Sequence, residues 1–352
     1  MAEVKSLPLT AWPQADRDAW AAVRSAGDIF DDGGGAAHWR SSTVKNFEQD
    51  YGLWLGWLAA HGMLSGAPGE RVTQANVEAY VTDLRERQAA VSVANQVRRL
   101  YRAMQLFAPQ HDWKWLKDLK ARLRRDAEPS KPKPDALTHP AELYTLGMRL
   151  MDEAETDGTL KARRAAVAYR DGLIIAILAA RAPRRQEFTD MRLDVNLRHD
   201  GGAYWLVFSA AETKQKRASE HRLPDDLTAR VDRYLEHHRE VLAAGPRNAE
   251  PREALWLTEF GDALSAMAVN VVVRKHTAAR LGIPIPPHRF RDCLATAWAL
   301  DLPEHVRMAG TMLDHHDPSM TEAHYNQAQR HRALRAHAST ISRLRDHHKA
   351  GC

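Results

Sequence analysis

Large apolar residues recur at three- and four-residue intervals over the first third of the chain, a spacing that predicts α-helices. The clearest pattern places five such side chains on one helix face: Phe47, Tyr51, Trp54, Leu55 and Leu58. Similar spacing predicts three further helices, near residues 73–84, 91–104 and 113–125. We therefore expect residues 39–127 to form a helical bundle that holds its tryptophans and tyrosines in the core.

The first 38 residues carry a weaker pattern of the same kind. One short helix is predicted near residues 16–25, with Trp12 and Trp20 as its anchoring side chains. Three consecutive glycines at residues 33–35 then break the helical pattern. We interpret residues 1–38 as an N-terminal extension that packs on the bundle, in preference to an arm that contacts a ligand.

Prolines mark the boundary between this bundle and the rest of the chain. Pro129, Pro132 and Pro134 favour an extended linker over residues 128–136. The linker is followed by a second predicted domain, residues 137–326, and by a charged helical tail, residues 327–352.

The second domain is predicted to be mostly helical with a small β-sheet. An apolar stretch at residues 166–180 predicts a buried helix, and residues 204–208 and 221–223 predict the two strands of a hairpin. Further helices are predicted near residues 227–242, 266–281, 288–300 and 303–313. The fold class is therefore predicted to be mainly α (α+β), with two domains.

Composition excludes several classes of protein. Hydrophobic residues make up 44% of the 352 residues, enough for two folded cores. The sequence contains no apolar run of about 18 residues, so we expect no membrane span and no membrane partner. Cys293 and Cys352 are too few for a disulfide framework, and the first residues lack the layout of a secretory signal. A cytoplasmic protein is the expectation.

Positive charge is concentrated in one window of the helical bundle. The formal net charge is only +5, but residues 98–125 contain nine Lys and Arg residues against two Asp residues. The nine cations are Arg98, Arg99, Arg102, Lys114, Lys117, Lys120, Arg122, Arg124 and Arg125. A basic patch of this kind favours a polyanion such as nucleic acid as the partner over a merely solvated helix face.

The second domain contains side chains that together could act on a phosphodiester. Arginine binds phosphate oxygens with two parallel hydrogen bonds and stays charged, and Arg184 and Arg291 are both predicted to open helices. Glu187 lies one helical turn after Arg184, and this Arg-x-x-Glu spacing favours Arg184 over the nearby Arg181 and Arg185. His288 shares a helix face with Arg291 because the two are three residues apart.

Three further groups complete this candidate set. Lys214 lies in the predicted hairpin turn and could protonate a leaving oxygen, with Lys216 as the alternative. His315 and His316 follow near the end of the chain, and Tyr325 offers a phenol as nucleophile in a polar context. Arginines, a lysine, histidines and a tyrosine can cleave a phosphodiester without a metal ion or other cofactor.

In this order, from about Arg40 to Tyr325, these residues resemble the tyrosine recombinase (phage integrase) family. The resemblance implies that residues 39–127 form a helical core-binding (SAM-like) domain and residues 137–326 a catalytic domain, which together clamp DNA in a C shape. It also implies roles for the candidate residues. Their catalytic set would be Arg184, Lys214, His288, Arg291, His315 and the nucleophile Tyr325, with Glu187 in support.

Four positions depart from the family pattern without removing a catalytic group. Ala182-Pro183 replaces Gly-Leu before Arg184, and Asp292 replaces a histidine after Arg291. Asp314 stands where a glycine usually precedes the second histidine. If His315 is that second histidine, the spacing between it and Tyr325 is one residue longer than in many family members. If His316 is the second histidine, the spacing is the same as in those members.

The resemblance implies a site-specific recombinase, or integrase, of bacterial mobile DNA. Such an enzyme forms a 3′-phosphotyrosine intermediate and, as a homotetramer on two duplex sites, a Holliday junction, in some cases with an accessory or partner recombinase. We expect a nucleoid-associated protein whose tail at residues 327–352 packs either on its own domain or on a neighbouring protomer. The alternatives are a type IB topoisomerase, a non-cleaving DNA-binding accessory protein and a metal-dependent nuclease.

Overall fold

The helical patterns of the sequence fold as helices in the computed structural model of the chain. The structure describes residues 5–28, 33–127, 138–213, 216–247 and 253–301. The chain separates into two units, residues 1–135 and 136–352, each with its own hydrophobic core. Both are mainly helical and the second contains a small antiparallel sheet, so the predicted fold class is confirmed. Within the described ranges, no helix combines the length and the apolar composition that a bilayer span requires.

Five of the six helices of the first unit lie close to their predicted positions, and the short helix α3 (Pro68–Arg71) was not predicted. Their bounds are Gln14–Arg24 (α1), Ser41–Ala60 (α2), Pro68–Arg71 (α3), Gln74–Arg87 (α4), Ala90–Phe107 (α5) and Lys114–Arg125 (α6). The Thr73 hydroxyl accepts a hydrogen bond from the backbone N–H of Asn76 at 3.2 Å and so caps α4. The linker predicted at residues 128–136 lies outside the described residues.

Aromatic side chains fill the core of the first unit, as the sequence predicts. Trp20 stacks on Phe47 with ring centroids 4.6 Å apart, and Trp12 meets the edge of Tyr51 at 5.1 Å. Trp12, Trp20 and Tyr51 are all almost fully buried. Offset and edge-on contacts of this kind stabilise a core beyond the apolar area that it buries.

The N-terminal segment belongs to this core and is fixed there by a buried ion pair. Asp16 on α1 is fully buried, forms an ion pair with Arg71, and accepts a hydrogen bond of 2.6 Å from the Tyr51 hydroxyl. Leu7 also donates its N–H to the carbonyl of Gly52 at 2.9 Å. Because a buried charge is costly without its partner, these contacts fix how residues 5–24 lie on the bundle.

A pair of closely packed helices forms the centre of the second unit. These are α7 (Pro140–Thr156), which the sequence analysis did not predict, and α8 (Ala162–Arg181), which covers the predicted helix at residues 166–180. They touch at two glycines, since a Cβ on Gly147 would lie 2.7 Å from the carbonyl oxygen of Gly172. This approach lets α7 cover a helix that is buried along most of its length.

A three-stranded antiparallel sheet, in the order β1-β2-β3, packs beside these helices. Its strands are Leu197–Asp200 (β1), Ala203–Phe208 (β2) and Ser219–Arg222 (β3). Leu206 lies opposite Leu197 on one side and His221 on the other. Strand β1 was not predicted, because only one of its four residues is apolar.

The remaining helices follow the sheet. They are α10 (Thr228–Arg233), a π-helical turn at Tyr234–His238, α11 (Arg239–Ala243), α12 (Ala266–Leu281) and α13 (Pro287–Asp301), while a short helix α9 (Arg185–Thr189) precedes the sheet. The helix predicted at residues 303–313 and the tail at residues 327–352 lie outside the described residues.

A buried histidine joins the end of α7 to the π-helical turn. His238 stacks on Tyr169 with ring centroids 4.0 Å apart, and its Nε2 lies 2.5 Å from Glu155 Oε1. Arg233 donates to the same carboxylate at 3.0 Å, which is the main reason that the pKa of Glu155 is lowered. Burial lowers the pKa of His238 from its ordinary 6.5, and the opposing effect of Glu155 is smaller.

We expect this histidine to make the protein less stable in mild acid. Below about pH 6.5 the unfolded chain protonates His238 more readily than the folded chain does, so the free energy of unfolding falls as the pH falls. The free energy of unfolding is measured with denaturant from about pH 7.5 to about pH 5.5. Its slope against pH should be steeper for the wild type than for His238→Phe, by up to about 1.4 kcal/mol per pH unit. His237→Gln, at the exposed neighbour, is the control and should keep the wild-type slope. Equal slopes for wild type and His238→Phe would contradict the assignment.

Candidate active site

The C-terminal end of α8 presents Arg184 to the surface of the second unit. The helix ends at Arg181, and Ala182 then adopts a left-handed conformation with φ of 43°. Pro183 follows, and Arg184 becomes the N-cap of α9. The Arg184 guanidinium lies 3.3 Å from Glu187 Oε1, the ion pair that the Arg-x-x-Glu spacing predicts. A carboxylate at this distance limits the orientations open to the arginine.

Arg291 on α13 reaches the same turn from another part of the sequence. Its Nη1 donates a hydrogen bond of 2.7 Å to the carbonyl oxygen of Ala182, two residues before Arg184. The Arg-x-x-Glu and His-x-x-Arg segments are therefore neighbours in space, although 109 residues separate Arg291 from Ala182. Arg184 is thus attached to this turn through its backbone and Arg291 through its side chain. Guanidinium groups are well suited to binding a phosphate.

One prediction about Arg291 was wrong. Arg291 does not open its helix, because α13 begins at Pro287, one turn earlier. Its backbone N–H belongs to the helical hydrogen-bond ladder and is not one of the free donors of a helix start. Only its side chain can contribute to anion binding.

His288 lies at the start of α13, directly after Pro286 and Pro287. Its side chain is exposed and lies one turn before Arg291 on the same helix. Cys293, further along this helix, is buried, and burial raises the pKa of its thiol to about 11. The thiol is therefore protonated near neutral pH and offers no competing nucleophile.

The hairpin turn that carries the candidate lysines is described only in part. Lys214 lies outside the described residues, and the alternative, Lys216, is exposed with a positive φ of 54°. The buried hydroxyl of Thr213 accepts from the N–H of Arg217 at 3.1 Å and donates to its carbonyl at 2.7 Å. These two bonds join the ends of the segment that contains both lysines.

The sequence analysis missed the carboxylate that holds the base of this turn. Glu212 accepts hydrogen bonds from Asn196 Nδ2 at 3.0 Å, from Ser209 N at 2.8 Å and from Ser209 Oγ at 2.7 Å. These hydrogen bonds, that from Asn196 first, lower the pKa of Glu212. The local signal was the Ser-x-x-Glu spacing of Ser209 and Glu212, which is the pattern of a capping box.

The remaining predicted catalytic groups lie outside the described residues: His315, His316 and Tyr325. In the parts of the chain that are described, no group of three or more His, Cys, Asp or Glu side chains is arranged to hold a metal ion.

The nine predicted DNA-binding cations divide into two groups in the first unit. Several already have partners: Arg99 pairs with Asp50 at 2.8 Å, Lys114 with Asp118 at 3.7 Å and Arg125 with Asp126 at 3.2 Å. Arg102 and Lys120 lie over the rings of Trp39 and Tyr101, respectively. Five of the nine are exposed and have no ion-pair partner among the described residues: Arg98, Arg102, Lys117, Arg122 and Arg124.

The chain is similar to known proteins both in sequence, over most of the second unit, and in fold. Residues 148–332, just over half of the chain, match the sequence model of the Phage integrase family. No curated protein sequence matches the chain.

Two solved structures match most of the chain at low sequence identity. One is a tyrosine-to-phenylalanine variant of the Tn1549 transposon integrase in complex with transposon right end DNA. It is 13% identical over 91% of this chain and 98% of that chain, with a TM-score of 0.54, and so shows a shared fold. The other, XerA recombinase, is 16% identical over 86% of this chain and 94% of that chain, with a TM-score of 0.41.

The left-handed Ala182 should tolerate glycine but no larger residue. Ala182→Gly relieves the strain of a left-handed alanine, which is roughly 1–2 kcal/mol. It also removes a buried methyl group and raises the conformational entropy of the unfolded chain, and these two costs together are of similar size. Thermal unfolding of Ala182→Gly should therefore stay within about 1 kcal/mol of wild type. Ala182→Val should cost about 2 kcal/mol or more, because a β-branched residue fits this conformation poorly. Equal effects for glycine and valine would show that the backbone conformation is not the constraint.

Proposed function

The chain belongs to the Phage integrase family, and on that premise we propose that it is a site-specific DNA recombinase that cleaves and rejoins DNA strands through a covalent phosphotyrosine. The observation that carries the proposal is the hydrogen bond from Arg291 to the Ala182 carbonyl. It joins the two arginine segments in which a recombinase would bind its scissile phosphate, and it cannot be inferred from either segment alone.

The proposed cleavage step exchanges one phosphodiester for another. The phenolic oxygen of Tyr325 attacks the phosphorus and loses its proton to His288, while the bond from phosphorus to the 5′-oxygen breaks. Lys214 gives a proton to that oxygen, which leaves as a 5′-hydroxyl. The product is a 3′-phosphotyrosine, and reversal by another strand's 5′-hydroxyl rejoins DNA without ATP because the phosphoester bond energy is conserved.

The arginines have the electrostatic role in this step. Negative charge grows on the two non-bridging oxygens of the phosphate, and Arg184 and Arg291 would bind them, assisted by His315 or His316. Glu187, at 3.3 Å from Arg184, would keep that guanidinium in one orientation. Because permanent cations stabilise the charge, the proposal requires no metal ion.

The proposed partner is double-stranded DNA. Recombination would need four protomers on two DNA sites and would pass through a Holliday junction. The tail at residues 327–352 would contact either its own protomer or a neighbour, and an accessory protein or partner recombinase would be an addition to this assembly. The basic surface of α5 and α6 would supply the phosphate contacts of the first unit.

A covalent trap tests the chemistry. The protein is incubated with duplexes that tile the DNA flanking its own gene, denatured and digested with nuclease, and its peptides are analysed by mass spectrometry. We expect a nucleotide on Tyr325 that is absent from Tyr325→Phe and persists in EDTA, because the phenol is the nucleophile and no metal takes part.

Other outcomes of this trap point to the alternative functions. DNA binding without an adduct would indicate a non-cleaving accessory protein. Loss of cleavage in EDTA would indicate a metal-dependent nuclease. An adduct on any duplex together with relaxation of supercoiled DNA would indicate a type IB topoisomerase. An adduct on another tyrosine would overturn the assignment of Tyr325.

The exposed cations of α6 should dominate non-specific DNA binding by the first unit. Each lost phosphate contact lowers the slope of log Kd against log salt by about 0.9. We expect Arg122→Gln and Arg124→Gln each to lower the slope by up to this amount, measured by fluorescence anisotropy with a short duplex of arbitrary sequence. Lys45→Gln, at an exposed position of α2 outside the patch, should keep the wild-type slope. If Lys45→Gln lowers the slope as much as the α6 variants do, the patch is not the binding surface.

A further inference from the structure

Arg181, the last residue of α8, donates hydrogen bonds to the backbone of two different elements. Its Nε donates at 2.5 Å to the carbonyl oxygen of Arg222, the last residue of β3. Its Nη1 donates at 3.0 Å to the carbonyl oxygen of Ala180, in the last turn of its own helix. A single guanidinium therefore joins the end of α8 to the end of β3, the outer strand of the sheet.

Both acceptors are carbonyls that lack a partner in their own element. Ala180 belongs to the last turn of α8, and the final four carbonyls of an α-helix have no donor within the helix. In β3, the N–H of Leu223 bonds the Tyr204 carbonyl at 2.8 Å, so the carbonyl of the preceding residue, Arg222, points away from β2. Arg181 thus gives a donor to a helix end and to a free sheet edge at the same time.

The hydrogen bonds of Arg181 hold backbone and do not neutralise an acid. Within the described part of the chain, no carboxylate forms an ion pair with Arg181. Burial lowers the pKa of Arg181 from its ordinary 12.5, and the charge of Arg222 lowers it further. A guanidinium nevertheless stays protonated near neutral pH, and its donors are fixed in one plane. The two bonds therefore set the distance between α8 and β3.

The turn that follows Arg181 is strained and is also held from a second side. Ala182 adopts a left-handed conformation, which is unfavourable for alanine. Its carbonyl accepts the hydrogen bond of 2.7 Å from Arg291, and Pro183 then fixes the next φ. Arg184 comes directly after this turn, so any change in the turn moves the Arg184 guanidinium.

We propose that Arg181 is a positioning residue for Arg184, because it joins α8 to β3 and so keeps the left-handed turn between the two arginines in place. This rests on the proposed function, since the placement of Arg184 matters to a reaction only if Arg184 binds the scissile phosphate. Arg181 itself touches neither DNA nor the reacting atoms. Its effect on the rate comes from the placement of Arg184, because a misplacement of about 1 Å can cost roughly a hundredfold.

The first measurement is the rate at which the protein forms its covalent adduct with the duplex identified by the trap. We expect Arg181→Ala to slow this rate by about 10–10²-fold. Arg181→Lys keeps the charge and one donor group, so it should lose less. Arg164→Ala removes an exposed arginine from the other end of α8 and should keep the wild-type rate. A wild-type rate for Arg181→Ala would overturn the inference and leave the proposed function intact.

The second measurement separates positioning from a general loss of stability. Glycine adopts the left-handed conformation without strain, so a turn with Ala182→Gly depends less on Arg181. We expect Ala182→Gly, added to Arg181→Ala, to recover at least about fivefold of the lost rate, because the strain that it removes corresponds to roughly 5–30-fold. The melting temperature should stay that of Arg181→Ala. No recovery of the rate would make Arg181 a structural residue only and would overturn the inference.

DNA binding separates positioning from a direct contact with DNA. On a short duplex of arbitrary sequence, Arg181→Ala should keep the wild-type slope of log Kd against log salt. A slope lowered by about 0.9 would show that Arg181 binds a phosphate itself, which would also overturn the inference. Wild type that forms no adduct on any duplex would overturn the proposed function together with the inference. If Arg181→Ala does not fold, Arg181→Lys with and without Ala182→Gly takes its place.

Discussion

The burial of α8 is the constraint on which the second unit depends. Its residues from Leu173 to Ala179 have almost no exposed surface, and α7 crosses it at Gly147 and Gly172, where no side chain separates the two backbones. A helix that is packed this closely cannot slide or rotate without opening voids, and voids in a dense core are costly. The position of its last residue, and hence of Ala182 and Arg184, is therefore fixed from within the core.

The same rigidity extends to the second arginine segment. Buried Asp171 on α8 accepts from Arg170 and lies 3.0 Å from His276 Nε2 on α12, the helix that precedes α13. A buried polar contact of this kind adds little net stability but favours one arrangement of the helices, because any other leaves charge unpaired. Arg291 then meets the end of α8 through the Ala182 carbonyl. The candidate phosphate site is thus supported by the core at both ends.

Charged side chains have two roles within the first unit. Asp16 and Arg71 form a buried pair that fixes the N-terminal segment, whereas Lys117, Arg122 and Arg124 are exposed. A count of cations along the sequence treats Arg99 and Arg122 alike, yet the first is paired with Asp50. Only an unpaired, exposed cation can replace the counterions of a polyanion at no cost to the fold.

Local pattern determined much of this protein. The periodic apolar residues specify α2, α4, α5, α6, α8 and α12 to within a few residues, because an amphipathic helix is encoded by its own spacing. The order of the motif residues predicted the family, and the family match confirms it. Helix α7 was within reach of the same reasoning, since Pro140 at its first position and Leu143, Leu146 and Leu150 follow the helical spacing.

Tertiary structure alone decided the rest. Strand β1 exists because β2 pairs with it, and its own residues are mostly polar. The hydrogen bond from Arg291 to Ala182, the left-handed conformation of Ala182, and the bond from Asn196 to Glu212 all depend on residues that are distant in sequence or on backbone held by its surroundings. Sequence spacing reports which residues share a face of one element. Which elements then meet is settled by close packing and by the need of every buried polar group for a partner.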